Sequence, residues 1–339
     1  MNELPEDRFP RSYEDDSLIT SNSSWWCSGF YPGTLLHLYE ETGDEELLME
    51  VKRKFEYLEK EQYNTDTHDL GFMMFDSFGH AHRINPNPEY EEILINSAKS
   101  LASRYSPEVK SIRSWNSDPG DFLVIIDNMM NLDLLFWAAE TTGDSSYYNI
   151  AVTHANTTLQ NHFREDNSSW HVLNYDPETG EIQNKRTEQG LNDESAWARG
   201  QAWGLYGFTE TYGNTGDQRY LDQAVSIAEF LINQPNLPED KIPLWDFDAE
   251  TDALRDASAA AIMASALLEL DSYVSHSDYY DTALIILENL TKNYIAIAKP
   301  GENGNFILKH GVGHLPANSE VDVPLTYADY YFIEALRRL

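Results

Sequence analysis

Hydrophobic positions along the chain predict pairs of helices, each pair joined by a short turn. Three apolar segments end at the same tripeptide, Thr-Gly-Asp, at residues 42–44, 142–144 and 215–217. Glycine suits the left-handed residue that ends a helix, and aspartate suits the cap of the next helix. A fourth apolar segment ends near Ser277 and Asp278, where the same kind of turn and cap is expected. The chain is therefore predicted to consist of helical hairpins.

The two helices of each hairpin differ in their periodicity. The segments before the turns are apolar nearly all round and are predicted to be buried, with Phe122–Ala139 and Ala257–Leu270 the clearest cases. The segments after the turns are amphipathic and are predicted to form an outer layer. These outer helices are Glu45–Leu58, Tyr147–Leu159, Tyr220–Ile232 and Tyr279–Leu290.

The spacing between hairpins is irregular, unlike the fixed period of a solenoid. Irregular spacing favours a closed ring of hairpins with long functional loops between them. One such loop, Trp170–Asn184, is the best candidate for a β-hairpin and turns at Asp176–Gly180. Because no linker or change of composition divides the chain, residues 1–339 are predicted to form a single domain.

The segment Ser195–Phe208 carries polar residues on a predicted helix. Asn192–Glu194 come just before it and are expected to start that helix, as a side-chain cap followed by acids. Ser195, Arg199 and Trp203 recur every four residues and would share one face. A guanidinium beside an indole suits a sugar acid, because arginine can bind the carboxylate and tryptophan can cover the ring. A packed core helix with a structural ion pair is the alternative interpretation.

Two aspartates are candidates for acid–base chemistry. Asp127 lies in an apolar run that predicts a helix interior, and carboxylates are rarely buried without a partner or a task. Desolvation would raise its pKa, which suits a general acid, and Asn131 could orient it. Asp69 is a second carboxylate beside an apolar segment; if the two lie close, repulsion would separate their pKa values. A hydrogen-bonded core aspartate is the structural alternative for Asp127.

The composition excludes several classes of partner. The chain has 57 acidic and 23 basic residues and a net charge of −34, so neither nucleic acid nor an anionic membrane is expected to bind. Such an excess of acid favours a salt-loving host slightly over an ordinary acidic protein. Cys27 is the single cysteine, which excludes an intrachain disulfide. With no signal-peptide pattern and no long apolar run, a cytoplasmic protein is expected.

Metal and nucleotide chemistry find little support in the sequence. His310 and His314 have the spacing of metal ligands, but Gly311 and Gly313 argue against the helix that would direct both at one ion. No phosphate-binding glycine loop, His-Glu-x-x-His motif or nucleophile elbow is present. No metal and no other cofactor is expected.

Five segments taken together resemble the unsaturated glucuronyl hydrolases of glycoside hydrolase family 88. They occur in chain order, span nearly the whole sequence, and are specific as a set although each alone is weak. The segments are residues 26–33 (WCSGFYPG), 68–72 (HDLGF), 126–132 (IDNMMNL), 195–208 (SAWARGQAWGLYGF) and 323–332 (VPLTYADYYF).

The resemblance implies an all-α fold, the (α/α)6 barrel, in agreement with the helical hairpins. It also implies a hydrolase that acts on the 4,5-unsaturated uronic acid which polysaccharide lyases leave at a non-reducing end. Such enzymes hydrate the C4=C5 double bond. The related hydrolases of unsaturated rhamnogalacturonan disaccharides are one alternative. A non-enzymatic helical scaffold is another, although it predicts featureless inner helices.

The resemblance also implies roles for individual residues. Asp127 would be the acid/base, and Asp69 the second essential carboxylate. No serine- and lysine-rich motif for sulfate is found near Asn318–Glu320, which argues against a sulfated fragment as the preferred substrate. The implied substrate contacts are His68, His171, Thr187, Gln189, Arg199 and Trp203, with Trp26 and Trp115 lining the pocket.

Overall fold

The fold is described from a computed structural model that covers residues 4–275, 278–296, 299 and 301–339. These residues divide into two compact units. Unit 1 contains the described residues up to Arg11, Thr20–Thr157 and Asn174–Asn184, and unit 2 contains those of Ser12–Ile19, Thr158–Leu173 and Lys185–Leu339. The expectation of a single domain stays a prediction.

Unit 1 is built from helices with several irregular helical segments between them. Helix α1 packs against α2 and against a π-helical segment, Gly71–Gly79, while α4 packs against α5. A 3-10 segment, Ile126–Asn131, precedes α5. The helices are α1 (Phe30–Thr42), α2 (Glu45–Leu58), α3 (His80–Ile84), α4 (Pro88–Ala102), α5 (Asp133–Thr142) and the greater part of α6 (Ser145–Asn161).

In unit 2 one helix forms the centre of the packing. Helix α9 (Ala257–Asp271) packs mainly against three helices, and its alanine-rich sequence is buried along almost its whole length. Small side chains on every face allow neighbouring helices to approach closely. The neighbours are α7 (Ala198–Thr215), α10 (Tyr279–Asn289) and α11 (Thr326–Arg337), and α8 (Gln218–Ile232) packs against α7.

The strands form small sheets. β8 and β9 pair antiparallel with a register irregularity between Gly311 and Val312. A sheet of order β5-β6-β7 contains the predicted β-hairpin, which turns at Asp176–Gly180. The strands are β1 (Phe9–Glu14), β2 (Ser17–Ser21), β3 (Tyr105–Ser106), β4 (Ser111–Ile112), β5 (Phe122–Ile125), β6 (Val172–Tyr175), β7 (Ile182–Arg186), β8 (Gly311–His314) and β9 (Ser319–Val323).

The three Thr-Gly-Asp turns have the predicted conformation. Their glycines have φ between 66° and 72°, and each following aspartate accepts a hydrogen bond from the main-chain N–H two residues on, at 2.9–3.0 Å. The outer helices are confirmed to within two residues at either end. At the fourth turn Ser277 lies outside the described residues. Asp278 is the N-cap residue of α10, as predicted, but its side chain makes no capping hydrogen bond.

Two predicted elements differ from the structure. Phe122–Ala139 is not one helix: it divides into β5, the 3-10 segment and α5. A short apolar, β-branched run is compatible with either a strand or a buried helix, and pairing in the sheet decides for the strand. The helix expected from Asn192 begins only at Ala198, so Ser195 is not on its face. Asn192 Oδ1 instead accepts from Glu194 N in a turn.

No helix in the part of the chain that the structure describes has both the length and the apolarity needed to cross a bilayer.

Candidate active site

Asp69 lies in unit 1, two residues before the π-helical segment begins. The residue is 8% exposed, and its Oδ2 accepts a hydrogen bond from Thr67 Oγ1 at 2.7 Å. The other oxygen, Oδ1, lies 3.1 Å from His68 Nε2. The hydroxyl of Thr67, two residues earlier, therefore holds the carboxylate at the edge of the core.

Ser114 connects the residue before Asp69 with Arg104 and with the end of strand β5. Its main-chain oxygen lies 3.0 Å from both His68 Nδ1 and Arg104 Nη2. Burial lowers the pKa of His68, so the ring is neutral and its Nδ1 proton is donated to that carbonyl. The Ser114 hydroxyl accepts from Ile125 N at 2.9 Å. Ser114 thus fixes both the loop of Asp69 and the strand that leads to Asp127.

Asp127 lies on the 3-10 segment that follows β5, half-buried, and not on the helix predicted for it. Asn131, at the end of the same segment, accepts hydrogen bonds through Oδ1 from Gly71 N at 2.8 Å and Phe72 N at 3.2 Å. A Cβ on Gly71 would lie 2.6 Å from the Asn131 Cα, so only glycine fits this approach. Asn131 therefore joins the Asp69 segment directly to the Asp127 segment.

The predicted pocket tryptophans of unit 1 are both half-buried. Trp26 contacts Phe30 and Phe72 edge-on, at 5.7 and 5.6 Å between ring centroids. Trp115 directly follows Ser114. Trp26 thus lies against the segment that follows Asp69, and Trp115 follows the residue that binds the strand before Asp127. The role of both rings as pocket residues stays a prediction.

Arg199 in unit 2 is 1% exposed and has structural partners. Its guanidinium pairs with Asp256 Oδ2 at 3.1 Å and donates to the main-chain oxygens of Val312 and Gly313 at 2.5 and 2.6 Å. Asp256 also caps α9 through Ser258 N. This is the structural ion pair that the sequence offered as an alternative, while contact of Arg199 with substrate stays a prediction.

A column of rings lies beside this guanidinium. Trp197 is 4.6 Å from it, and His171 lies 4.5 Å from Trp197 with the ring planes at 34°. His171 Nδ1 accepts from Glu188 N and Gln189 N at 3.2 and 3.3 Å. Burial, with Arg199 nearby, lowers the His171 pKa well below its ordinary value. The ring is therefore neutral and carries its proton on Nε2, as a hydrogen-bond donor.

The loop with Thr187 and Gln189 converges on the same place. Gln189 Nε2 donates to Gly313 O at 3.0 Å, and this is the carbonyl that Arg199 also binds. Thr187 Oγ1 accepts from Gly190 N at 2.8 Å. Four of the predicted contact residues in unit 2 are thus connected: His171, Thr187, Gln189 and Arg199.

Asp246 organises this loop and was missed in the sequence. It is fully buried and accepts hydrogen bonds from Leu191 N at 2.8 Å and Ser195 Oγ at 2.7 Å. Desolvation raises its pKa, and these hydrogen bonds oppose the rise. An aspartate between the aromatic residues Trp245 and Phe247 was the available signal, since buried carboxylates need partners.

Trp203 differs from the other predicted contact residues. Its side chain is 0% exposed and meets Tyr331 edge-on, at 5.2 Å between ring centroids, within the core of unit 2. Trp203 and Arg199, four residues apart, share one face of α7, as predicted. The contact between Trp203 and a sugar stays a prediction.

Comparison with known proteins gives consistent results. Residues 5–336 match Glycosyl Hydrolase Family 88. The chain is 47% identical over 337 residues to an unsaturated glucuronyl hydrolase of Formosa agariphila, which covers 97% of this chain and 84% of that protein. It is 34% identical to an unsaturated glucuronyl hydrolase of Bacillus sp. strain GL1, over 98% of this chain and 91% of the relative.

The fold is also shared with solved structures. An unsaturated glucuronyl hydrolase described as specific for heparin superposes with a TM-score of 0.96 at 47% identity, covering 99% of this chain and 92% of that one. The predicted fold class, the all-α (α/α)6 barrel, is confirmed by this likeness and by the helical content of the described residues.

Proposed function

Because the chain belongs to Glycosyl Hydrolase Family 88, we propose that it removes the 4,5-unsaturated uronic acid from the non-reducing end of oligosaccharides released by polysaccharide lyases. It is a glycoside hydrolase, and the alternative of a non-enzymatic scaffold is wrong. The observation that carries this function is the similarity to unsaturated glucuronyl hydrolases along nearly the entire chain. The alternative, a rhamnogalacturonyl hydrolase, is not favoured by these relatives.

Asp127 is proposed to act as both acid and base. The unsaturated ring is flat at C4 and C5, and protonation at C4 by the Asp127 carboxyl places positive charge at C5, where the ring oxygen shares it. Water then adds at C5 and gives a proton to the Asp127 carboxylate, which restores the acid. The resulting hemiketal opens and releases the remainder of the sugar chain. The position of Asp127 at the turn from β5 into the 3-10 segment supports this role, because strand ends can present a side chain to a cavity.

The other residues are proposed to position the substrate or the water. Asp69, fixed by Thr67, would hold a sugar hydroxyl or the attacking water. His171 would donate from Nε2 to an oxygen of the substrate, since its Nδ1 is already an acceptor. Gln189 and Arg199 would act at the substrate carboxylate or through the Gly313 carbonyl that they share.

Isotope labelling tests this mechanism. Reaction in heavy water is expected to place deuterium at C4, and reaction in labelled water is expected to place the oxygen initially at C5. Mass spectrometry of the released 4-deoxy-5-keto uronate, in which the double bond has been hydrated, locates both labels. Oxygen label at C1 without deuterium at C4 would instead show a conventional glycosidase with two carboxylates.

The identity of the sugar that follows the uronate, and whether it carries sulfate, can be tested with substrates. Lyase digests of heparin, chondroitin and unsulfated polysaccharides can be compared by the loss of ultraviolet absorbance of the unsaturated uronate. Heparin fragments serve as the sulfated comparison, because the structural relative is described as specific for heparin. We propose that unsulfated fragments react faster than sulfated ones, since the sequence near Asn318–Glu320 offers no serine- and lysine-rich motif.

We propose that the enzyme works in the cytoplasm, in keeping with a single, buried cysteine. Cell fractionation followed by the same absorbance assay would test this, and activity confined to the medium or the cell envelope would contradict it.

A further inference from the structure

Three side chains in unit 1 that the proposed reaction does not use converge at one place. His37 and Glu40 are on α1, and His80 begins α3, directly after the π-helical segment. One ligand atom from each side chain lies within 4.8 Å of the other two. We propose that these residues, His37, Glu40 and His80, bind a divalent transition-metal ion, with zinc the best chemical match.

The spacing on α1 directs two ligands toward the same point. Residues three apart on a helix are neighbours on one face, so His37 and Glu40 project together. The third ligand comes from a separate segment, and the His37 and His80 rings meet at 4.2 Å between centroids with their planes at 65°. An ion here would therefore cross-link α1 to the segment that begins at Asp69 and ends at His80.

The donor set suits zinc. Two imidazoles and one carboxylate are the protein ligands of many zinc sites, which keep a fourth position for water. Both histidines are buried, at 4% and 1% exposure, whereas the Glu40 side chain is 29% exposed. The exposed side of Glu40 supplies a route for the ion and for that water. Calcium and magnesium prefer sites made of oxygen ligands alone and should bind poorly.

The contact between His80 and Glu40 must change when the ion binds. His80 Nε2 and Glu40 Oε2 are 2.6 Å apart, which is a hydrogen-bond distance. Ligands in a tetrahedral zinc site are separated by about 3.3 Å, as follows from metal–ligand distances of about 2.0–2.1 Å. The two groups would therefore move apart by less than about 1 Å, which small side-chain rotations provide. The ordinary alternative is a hydrogen-bonded pair that binds no ion.

The experiment uses the full chain after dialysis against a chelator. Cobalt titration followed by visible absorption, and zinc titration by calorimetry, are expected to give one ion per chain and a higher Tm with zinc than with magnesium. Glu40→Gln and His80→Gln should each weaken zinc binding roughly tenfold or more, because each removes a ligand. His82→Gln, in the same helix as His80 but outside the cluster, is the matched control and should bind zinc like the parent.

Several results would overturn the proposal. No zinc binding by the parent chain would leave the three residues as an ordinary hydrogen-bonded cluster. Equal loss of affinity in His82→Gln, or unchanged affinity in Glu40→Gln, would locate the ion elsewhere. If His80→Gln does not fold, Glu40→Gln and the cobalt spectrum of the parent still decide. Because the ion is not part of the reaction, failure here leaves the proposed hydrolase activity untouched.

Discussion

Two groups of polar residues can be compared: those around Asp69 and Asp127 in unit 1, and those around Arg199 in unit 2. Different kinds of side chain hold the two groups in place. In unit 1 the neutral residues Ser114 and Asn131 bind the His68 ring, Gly71 N and Ile125 N, and Arg104 donates to the same Ser114 carbonyl. In unit 2 charged groups do the holding, through Arg199 with Asp256 and through Asp246 in the loop. Arg199 and Asp246 satisfy main-chain partners and are part of the scaffold of unit 2, whereas in unit 1 the neutral side chain of Asn131 joins the segments that carry Asp69 and Asp127.

The strongest test of this contrast is Asp127→Asn. The change is nearly isosteric, so Tm should hardly move, while kcat should fall by about 10²–10⁴-fold because acid–base catalysis is lost. Asp69→Asn should be similarly damaging. The exposed control Asp118→Asn should match the parent in both measurements. Activity of Asp127→Asn within a few-fold of the parent would remove Asp127 from the mechanism.

Arg199→Met should show the opposite pattern, with stability lost first. Removing one partner of a buried ion pair costs about 3–5 kcal/mol, because Asp256 is left charged and unpaired. Denaturant unfolding measures this cost, and Arg219→Met at an exposed pair with Asp217 should change little. Any remaining folded enzyme should show a raised KM more than a lowered kcat. A stable variant with normal unfolding would show that the pair is not structural.

Asn131→Ala tests whether neutral groups align the aspartate segments. It leaves the N–H groups of Gly71 and Phe72 without their acceptor, at a cost of about 1–3 kcal/mol. Misalignment should also lower kcat by roughly 10²-fold. The control is Asn128→Ala. Asn128 lies in the same 3-10 segment as Asn131, and its removal deletes a buried hydrogen bond to Ile112 O. If both variants lose kcat equally at matched stability, alignment by Asn131 is not the cause.

The buried carboxyl of Asp329, in unit 2, should make the stability of the protein depend on pH. Burial raises its pKa from 3.8 to about 7, against hydrogen bonds from Ile307 N and Leu308 N, both 2.9 Å. Between these values the folded state holds a proton that the unfolded state has released, so stability should fall as pH rises from about 4 to about 7. Asp329→Asn should flatten that part of a Tm-against-pH curve, and the exposed variant Asp252→Asn should not. An unchanged slope would place the titration elsewhere.

The smallest expected change in Tm and activity comes from salt, which screens charges over the whole surface and does not act at one site. At a net charge of −34 the folded chain repels itself, and the Debye length falls from about 10 Å at 0.1 M to about 3 Å at 1 M salt. Tm and activity should therefore rise in molar salt, and sodium and potassium chloride should act alike. A melting temperature that is flat or falling with added chloride would assign the chain to ordinary acidic proteins.

Several features of this protein were determined by the sequence alone. Thr-Gly-Asp turns at residues 42–44, 142–144 and 215–217 specify local geometry, because in each of them glycine adopts the left-handed conformation and aspartate caps the next helix. Amphipathic periodicity predicted the outer helices, because the spacing of apolar residues along a helix is also a local property of the sequence. The ordered motifs of the family gave the class of enzyme, and the hydrophobic run of α9 predicted its burial.

Tertiary structure decided what local signals could not. Phe122–Ile125 is a strand because it pairs in a sheet, and an apolar run carries no record of its partner. The start of α7 at Ala198 follows from contacts of the preceding loop with Asp246, which lies about fifty residues away. The pairing of Arg199 with Asp256, and of Asn131 with Gly71, also joins distant positions. A single sequence names such residues as candidates, but the folded chain determines which of them are partners.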